Sequence, residues 1–269
     1  MSEKIVIKVG GDLVKENLDF LISDLVKLHA ENKKIILCHA GADVITAVAE
    51  KMGKPQIFTH STKGYKARYV DEETRDIYIM VVAGLNNKRL VKEMLAKDLP
   101  AVGISGVDGG LILAERFKKA MVILNGKRKL KDNYTGKPTK VNTKLIETLW
   151  EKNYIPVIAS VAISEDNEIV GGDSDRISDA IAVATKADKL ILLTDVDGVL
   201  DKNKNLINHI NRQNSELILE NVTGGMKTKV VVALKSASEG IKQVIIASGL
   251  RENPIIKALN NENCTTITD

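Results

Sequence analysis

Short apolar runs recur along this chain, separated by longer segments in which apolar positions return every three or four residues. This alternation is expected of a mostly parallel sheet covered by helices. Ile5 to Val9 reads as a first strand and Lys34 to Cys38 as a second, with an amphipathic helix from Leu18 to His29 between them and another from Asp43 to Met52. Asp71 has the chemistry of an N-cap, with acidic residues in the turn after it, and opens a long helix towards Leu95 that Gly84 and the Asn86–Asn87 pair would kink. Ala101 to Gly103, Ile112 to Arg116, Met121 to Leu124 and Lys137 to Val141 read as short strands. The turns at Asp108-Gly109-Gly110 and Asn125-Gly126 mark hairpins among them. A helix from Thr143 to Lys152 leads into a strand from Ile155 to Ala159.

A second α/β pattern follows. Asp173 or Ser174 caps a helix running to about Lys186, with Ile177, Ile181 and Ala184 on one face. Leu190 to Leu193 is a buried-strand signal. Gly225 precedes a helix whose Met226, Val230, Leu234, Ala237 and Ile241 share a stripe, and Val244 to Ala247 is a further strand. We expect two lobes, residues 1–167 and 168–269, with the boundary falling between 165 and 170.

Composition narrows the class. The chain has 269 residues, 44% hydrophobic and 28% charged, enough apolar chain to fold and bury a sizeable core. The longest uncharged apolar runs, Ile77 to Leu85 and Ile155 to Ile163, reach only about half the roughly 18 residues of a membrane span. No basic-then-apolar leader precedes the first strand, and the two cysteines, Cys38 and Cys264, form no disulfide framework. The expectation is a cytoplasmic protein without membrane contact. Net charge is +4, but ten basic residues between Arg116 and Lys144 face only Asp132, so that segment is +9 and the remainder −5. It is either a solvated surface hairpin or a surface for an acidic partner. Nine aromatic residues are too few for a base-stacking platform, so no nucleic acid is expected.

Candidate chemistry lies at strand ends. Lys8-Val9-Gly10-Gly11 closes the first strand with a point charge and two residues whose amides can approach an anion unobstructed. It is either a phosphate site or an ordinary strand-to-helix turn. His39-Ala40-Gly41-Ala42 ends the second strand directly before a helix, where His39 reads best as a core histidine. In Gly171-Gly172-Asp173-Ser174-Asp175-Arg176, Asp173 is the simplest cap, leaving Asp175 free to orient lysines. Gly224-Gly225-Met226-Lys227-Thr228-Lys229 sets Lys229 in a first helical turn, where a cation opposes the helix dipole and suggests an anion partner. Thr194-Asp195-Val196-Asp197-Gly198 is a polar turn at a strand's C-terminal end, where ligands of open α/β sheets collect. No metal-spaced Cys/His cluster and no nucleophile elbow occurs. The equipment suits phosphoryl transfer by positioning and charge neutralisation.

Together, Lys8-x-Gly-Gly, Asp175 at a helix start, Leu193-Thr194-Asp195-Val196-Asp197-Gly198 and Gly225-Met226-x-x-Lys229 resemble, in order and over essentially the whole chain, the amino-acid kinase family. Ser61 with Gly64, the run Ala67 to Asp71, Tyr134-Thr135-Gly136-Lys137, Val141-Asn142 and the tail Ile245 to Leu250 with Glu252 to Ile255 are most similar to its archaeal members that act on 2-aminoadipate or glutamate held by an amino-group carrier protein. These are cousins of N-acetylglutamate kinase. The resemblance implies a three-layer αβα sandwich around a mostly parallel open sheet, an acyl-acceptor lobe before an ATP lobe, and a homodimer joined through the long helix after Asp71. Lys8 and Lys229 would flank the transferred phosphoryl group and Asp175 would orient both. Gly10, Gly11 and Gly41 would offer amides, Arg68 would grip the acceptor's α-carboxylate beside Gly41, Ala42 and Gly171, and Thr194, Asp195, Val196, Gly198, Gly225 and Met226 would line the nucleotide site. ATP would bring Mg²⁺ on its phosphates. The +9 segment would steer a small acidic carrier protein, and the arginine feedback of relatives with an extra N-terminal helix is not expected.

The sequence departs from the family's pattern at Asp12, where a Ser is usual, at Ala40 and Ala42, where glycines are usual, and at Gly171, where an Asn commonly holds the acceptor's α-amino substituent. The acceptor therefore stays open between carrier-bound 2-aminoadipate, carrier-bound glutamate and free N-acetylglutamate. A non-catalytic nucleotide- or amino-acid-binding regulator of the same fold is the third reading.

Overall fold

The structure, a computed structural model, describes residues 2–10, 18–60, 66–124 and 126–269. Gly11, Asp12, Ser61, Gly64 and Asn125 lie outside the described residues.

An eight-stranded sheet organises the fold, in the order His209–Ile210, Cys264–Ile267, Gln243–Ser248, Lys189–Thr194, Lys4–Val9, Lys34–His39, Ile155–Ala159, Ala101–Ser105. Its six consecutive strands from Gln243–Ser248 to Ala101–Ser105 are parallel, and Cys264–Ile267 runs antiparallel at one side. Successive residues of each strand bury against opposite layers, as parallel sheets require. Ile5, Ile7 and Val9 join Ile191, Leu193 and Ile245 on one face, beneath the helices Leu18–Ala30, Asn87–Leu95 and Pro254–Leu259. Val6, Leu190, Leu192 and Ile246 turn to the other face, beneath Lys144–Glu151, Ser174–Thr185 and Gly224–Ser238. This is the expected three-layer αβα arrangement.

The first strand pairs with Lys34–His39 on one side and with Lys189–Thr194 on the other. Chain from both halves therefore leaves the sheet beside it, the switch point at which open α/β sheets bind ligands. Lys8 shares its strand face with Val6, the face covered by the two helices that carry Asp175 and Lys229.

A small closed barrel of Ile112–Arg116, Thr135–Val141, Val161–Ser164 and Ile169–Gly172 adjoins the sheet; the hairpin Lys119–Leu124 with Lys127–Asp132 connects two of its strands, and a second hairpin, Phe58–His60 with Lys66–Arg68, lies in the chain between the helices Ala42–Lys51 and Glu72–Tyr78.

Several expectations need correction. The Asp108-Gly109-Gly110 turn is not a hairpin: it joins Ala101–Ser105 of the large sheet to Ile112–Arg116 of the barrel. Asp108 takes the Ser105 amide and hydroxyl on one carboxylate oxygen, and both glycines have positive φ. The helix after Asp71 is not simply kinked but carries a π-helical stretch, Ile79–Asn86, between Glu72–Tyr78 and Asn87–Leu95. That extra winding lets Asn86 and Asn87 both point inward, 1% and 0% exposed. Ala184 is exposed, so the buried stripe of its helix runs through Ile177, Ile181 and Ala182. The helix carrying Lys229 starts at Gly224, which places the lysine in the second turn rather than the first.

Candidate active site

Asp173 N-caps the helix Ser174–Thr185, accepting hydrogen bonds from the amides of Asp175 and Arg176 at 3.0 Å. Relieved of capping, Asp175 turns inward. Its Oδ1 lies 2.9 Å from Lys8 Nζ and its Oδ2 accepts a hydrogen bond from Lys229 Nζ at 2.7 Å. The Lys229 contact has hydrogen-bond geometry, whereas the Lys8 contact is an ion pair that leaves Oδ1 without an aligned donor.

All three groups are buried or nearly so, and two ammonium groups share one carboxylate. Burial raises the Asp175 pKa, but the Lys8 and Lys229 charges overcome it and hold the carboxyl at about 2. Burial lowers Lys8 as well, and Asp175 more than compensates, so Lys8 is held firmly protonated. Lys229 is lowered by burial and by the Lys8 charge beyond what Asp175 restores. The cluster thus carries one uncompensated positive charge, which an anion would neutralise.

Lys229 and Asp175 open into a cavity of about 490 Å³. Its wall includes Gly41 and Ala42 with Arg68, Tyr78, Gly171, Gly172 and Gly225. The N-termini of Ala42–Lys51 and Gly224–Ser238 reach it with no side-chain cap, since Gly41 has none to offer and Thr223 does not bond back. Their free amides and dipoles favour negative charge there. Arg68 is fixed at the wall: it donates to Ala42 O at 2.8 Å, to Thr46 Oγ1 at 2.9 Å and to Gln56 Oε1, and stacks on Phe58 with its guanidinium 4.9 Å from the ring centre.

The remaining expected nucleotide residues stand around the same strand ends without lining this cavity. Gly10 follows Lys8's strand, and Thr194 ends the neighbouring strand, its hydroxyl bonded to Asp195 Oδ1 at 3.0 Å. Asp195 is exposed, Val196 half-buried and Gly198 buried, with Thr265 Oγ1 so close that a Cβ at 198 would meet it at 2.5 Å. Met226 is half-buried against the core. His39 is fully buried, its Nδ1 near Ala40 O at 3.3 Å and its Nε2 3.1 Å from Asn87 Nδ2, and burial drives its pKa down to about 4. It is a neutral core histidine. Among the described residues no group of three His, Cys, Asp or Glu side chains is placed to hold a metal ion.

Sequence reasoning passed over four contributors. Tyr78 sits half-buried in the wall with its hydroxyl against Ser160 Oγ, Ser160 O and Gly172 O at 3.1 to 3.2 Å, and burial of that hydroxyl pushes its pKa up to about 12 despite the opposing Ser160 hydrogen bond. Arg176 brings to the wall a guanidinium with no partner among the described residues. Asn86 donates to Ala40 O at 3.3 Å and fills the space beside Gly41, where a Cβ would come within 2.0 Å of its Nδ2. Phe117 lines the mouth. Only Arg176 had a signal, its place in the Gly-Gly-Asp-Ser-Asp-Arg run; the others are brought in by tertiary packing.

Residues 3–248 match the sequence model of the amino acid kinase family. The chain is 39% identical over 268 residues to a protein of Cenarchaeum symbiosum (strain A), covering 98% of this chain and 99% of that one. It is 37% identical over 258 residues to the LysW-aminoadipate/LysW-glutamate kinase of Saccharolobus solfataricus, covering 95% and 96%. Among solved structures, smu.665 from Streptococcus mutans UA159 aligns over 100% of this chain and 99% of its own with a TM-score of 0.80 at 24% identity. Giardia carbamate kinase aligns over 100% and 99% with a TM-score of 0.68 at 17% identity. With a carboxylate bridging one lysine on the first strand and another on the helix Gly224–Ser238, and with relatives matched from end to end, this chain belongs to the amino acid kinase family.

Proposed function

We propose that this protein transfers the γ-phosphoryl group of ATP to the side-chain carboxylate of 2-aminoadipate, and of glutamate, held on a small acidic amino-group carrier protein, in lysine and arginine biosynthesis. The observation that carries the reading is the Lys8–Asp175–Lys229 cluster at a cavity floored by uncapped helix N-termini. The acceptor follows from its relatives, which are LysW-aminoadipate/LysW-glutamate kinases.

In this reading a carboxylate oxygen of the acceptor attacks the γ-phosphorus, the bond to the β–γ bridging oxygen breaks, and ADP leaves with that electron pair. The nucleophile is already ionised at neutral pH, so the protein removes no proton. Its task is electrostatic: Lys8 and Lys229 neutralise charge on the phosphoryl oxygens, and Asp175 holds both ammonium groups in place beforehand. Arg68 takes the acceptor's α-carboxylate, beside Gly41, Ala42 and Gly171. Gly10 and Gly11 lend amides to phosphate, and Thr194, Asp195, Val196, Gly198, Gly225 and Met226 surround the nucleotide. The donor set is lysines and amides, which suits phosphate oxygens, so Mg²⁺ would be carried by ATP.

The proposed lobes, 1–167 and 168–269, meet at the switch point. Ile169–Gly172 pairs with Val161–Ser164 and Thr135–Val141, which argues for ending the acceptor lobe just after Gly172. Homodimerisation would use the long helix, where Met80 and Leu95 are 51% and 54% exposed. Cytoplasmic residence fits the free, buried Cys38 and Cys264 and the absence, among the described residues, of any helix long and apolar enough to cross a membrane.

Hydroxylamine traps an acyl phosphate as a hydroxamate. ATP with carrier-linked 2-aminoadipate should give one, at a rate that falls steeply with added salt because attraction between a basic enzyme and an acidic carrier is screened. Hydroxamate from free N-acetylglutamate and none from either carrier-linked acceptor would replace this reading with the small-molecule one.

A further inference from the structure

The hairpin Lys119–Leu124/Lys127–Asp132 grows from the rim of the cavity. Phe117, just before its first strand, and Thr135, just after its second, both line the cavity, and the Phe117 amide donates to Thr135 O at 2.8 Å. Six residues of strand carry its tip roughly 20 Å from that rim.

Its two faces differ. Residues directly opposite one another share a face, so Ala120 and Val122 lie with Lys131 and Lys129, with Lys127 on the same side, and Val122, 0% exposed, anchors that face to the protein. The other face should be polar if it met only water. Instead Met121 stands opposite Leu130, with Ile123 one step along opposite Arg128, and the three apolar side chains are 53%, 61% and 66% exposed in the order Met121, Leu130, Ile123. They form a contiguous apolar patch on the most basic segment of the chain. Four cations of this hairpin, Arg128 on the apolar face and Lys127, Lys129 and Lys131 on the other, have no ion-pair partner among the described residues, whereas Lys118 and Lys119 at its root pair with Asp166 and Asp132.

An exposed apolar patch of this kind marks a binding surface. We propose that this face, Met121, Ile123 and Leu130 beside Arg128, is the seat for the folded body of an acidic carrier protein whose loaded terminus enters the cavity past the root of the hairpin. The proposal rests on the function proposed above and adds the surface that reads the partner. Unpaired cations supply long-range attraction to an acidic body, and the apolar centre supplies the short-range contact that charge alone lacks. A small free acceptor would touch none of it.

The test compares the wild type with Met121→Ser/Ile123→Ser/Leu130→Ser, a triple variant at exposed positions that leaves Val122 and every charge in place. Hydroxamate formation is followed with the purified carrier bearing 2-aminoadipate, and mass in solution by light scattering. The expected result is a KM for the loaded carrier raised at least tenfold, with kcat and the KM for ATP unchanged and the salt dependence retained. Neutralising Lys127, Arg128, Lys129 and Lys131 to Gln should instead flatten the salt dependence. An unchanged carrier KM in the triple variant overturns the docking surface while leaving the enzyme's function standing. A triple variant that loses dimer mass also overturns it, because the patch would then face a second copy. A wild type that turns over no loaded carrier overturns the functional reading and this proposal with it.

Discussion

A Cβ added at Gly171 would lie 3.2 Å from Cε2 of Tyr78. The tyrosine ring therefore occupies the space that a side chain at 171 would need, and its hydroxyl is tied to Ser160 and Gly172 on the far side. The departure from the family's usual Asn at this position has a physical counterpart: the pocket has been filled from the long helix instead.

Gly171→Asn should consequently be overpacked and cost about 1–3 kcal/mol in urea unfolding. Adding Tyr78→Val should make the double variant more stable than the sum of the single changes predicts, because each residue then vacates the other's space. Strict additivity would mean the two do not compete.

His39 is buried as the neutral imidazole, its pKa lowered from 6.5 to about 4. The unfolded chain binds this proton at the higher pH, so the native state loses stability as pH falls from about 6.5 towards 4, by roughly 3 kcal/mol at most. His39→Gln should remove that slope from denaturant midpoints measured across this window. Activity should show no titration attributable to His39 near neutrality, which a pH–rate profile of the same variant checks.

Asp175 gives the opposite sign. Its carboxyl is held at about 2 against an ordinary 3.8, so its ionised form stabilises the fold above pH 4 and that contribution disappears as pH falls towards 2. Asp175→Asn should lose this component of acid sensitivity. At neutral pH it should also destabilise by about 3–5 kcal/mol, the cost of leaving buried cations without their counter-ion. Equal acid unfolding curves for variant and wild type would show that Asp175 is not so perturbed.

The large sheet was legible because its strands are short runs buried on both faces and bounded by glycine turns, as at Leu190–Leu193 before Thr194. The cluster was legible because Lys8-x-Gly-Gly, Asp175 beside the capping Asp173 and Lys229 after the Gly224-Gly225 pair occur together in the order of the family's pattern. The barrel was less visible. A turn such as Asp108-Gly109-Gly110 has the same local chemistry whether the strands it joins pair with each other or with distant partners, and only long-range pairing decides. Nor could periodicity reveal the π-helical stretch, since one extra residue in a turn changes which side chains face inward without changing their types. Asn86 reached the site by that route.

The central claim is that Lys8 and Lys229 act together on one phosphoryl group because Asp175 holds both. The most direct measurement is kcat for hydroxamate formation at saturating ATP and acceptor in Lys8→Ala, Lys229→Ala and the double variant. Each single change should reduce kcat by about 10²–10³, or roughly 3–4 kcal/mol, and the double variant should fall by less than the product of the two. Single variants that keep wild-type kcat, with the carrier-linked acceptor still phosphorylated, would contradict the account.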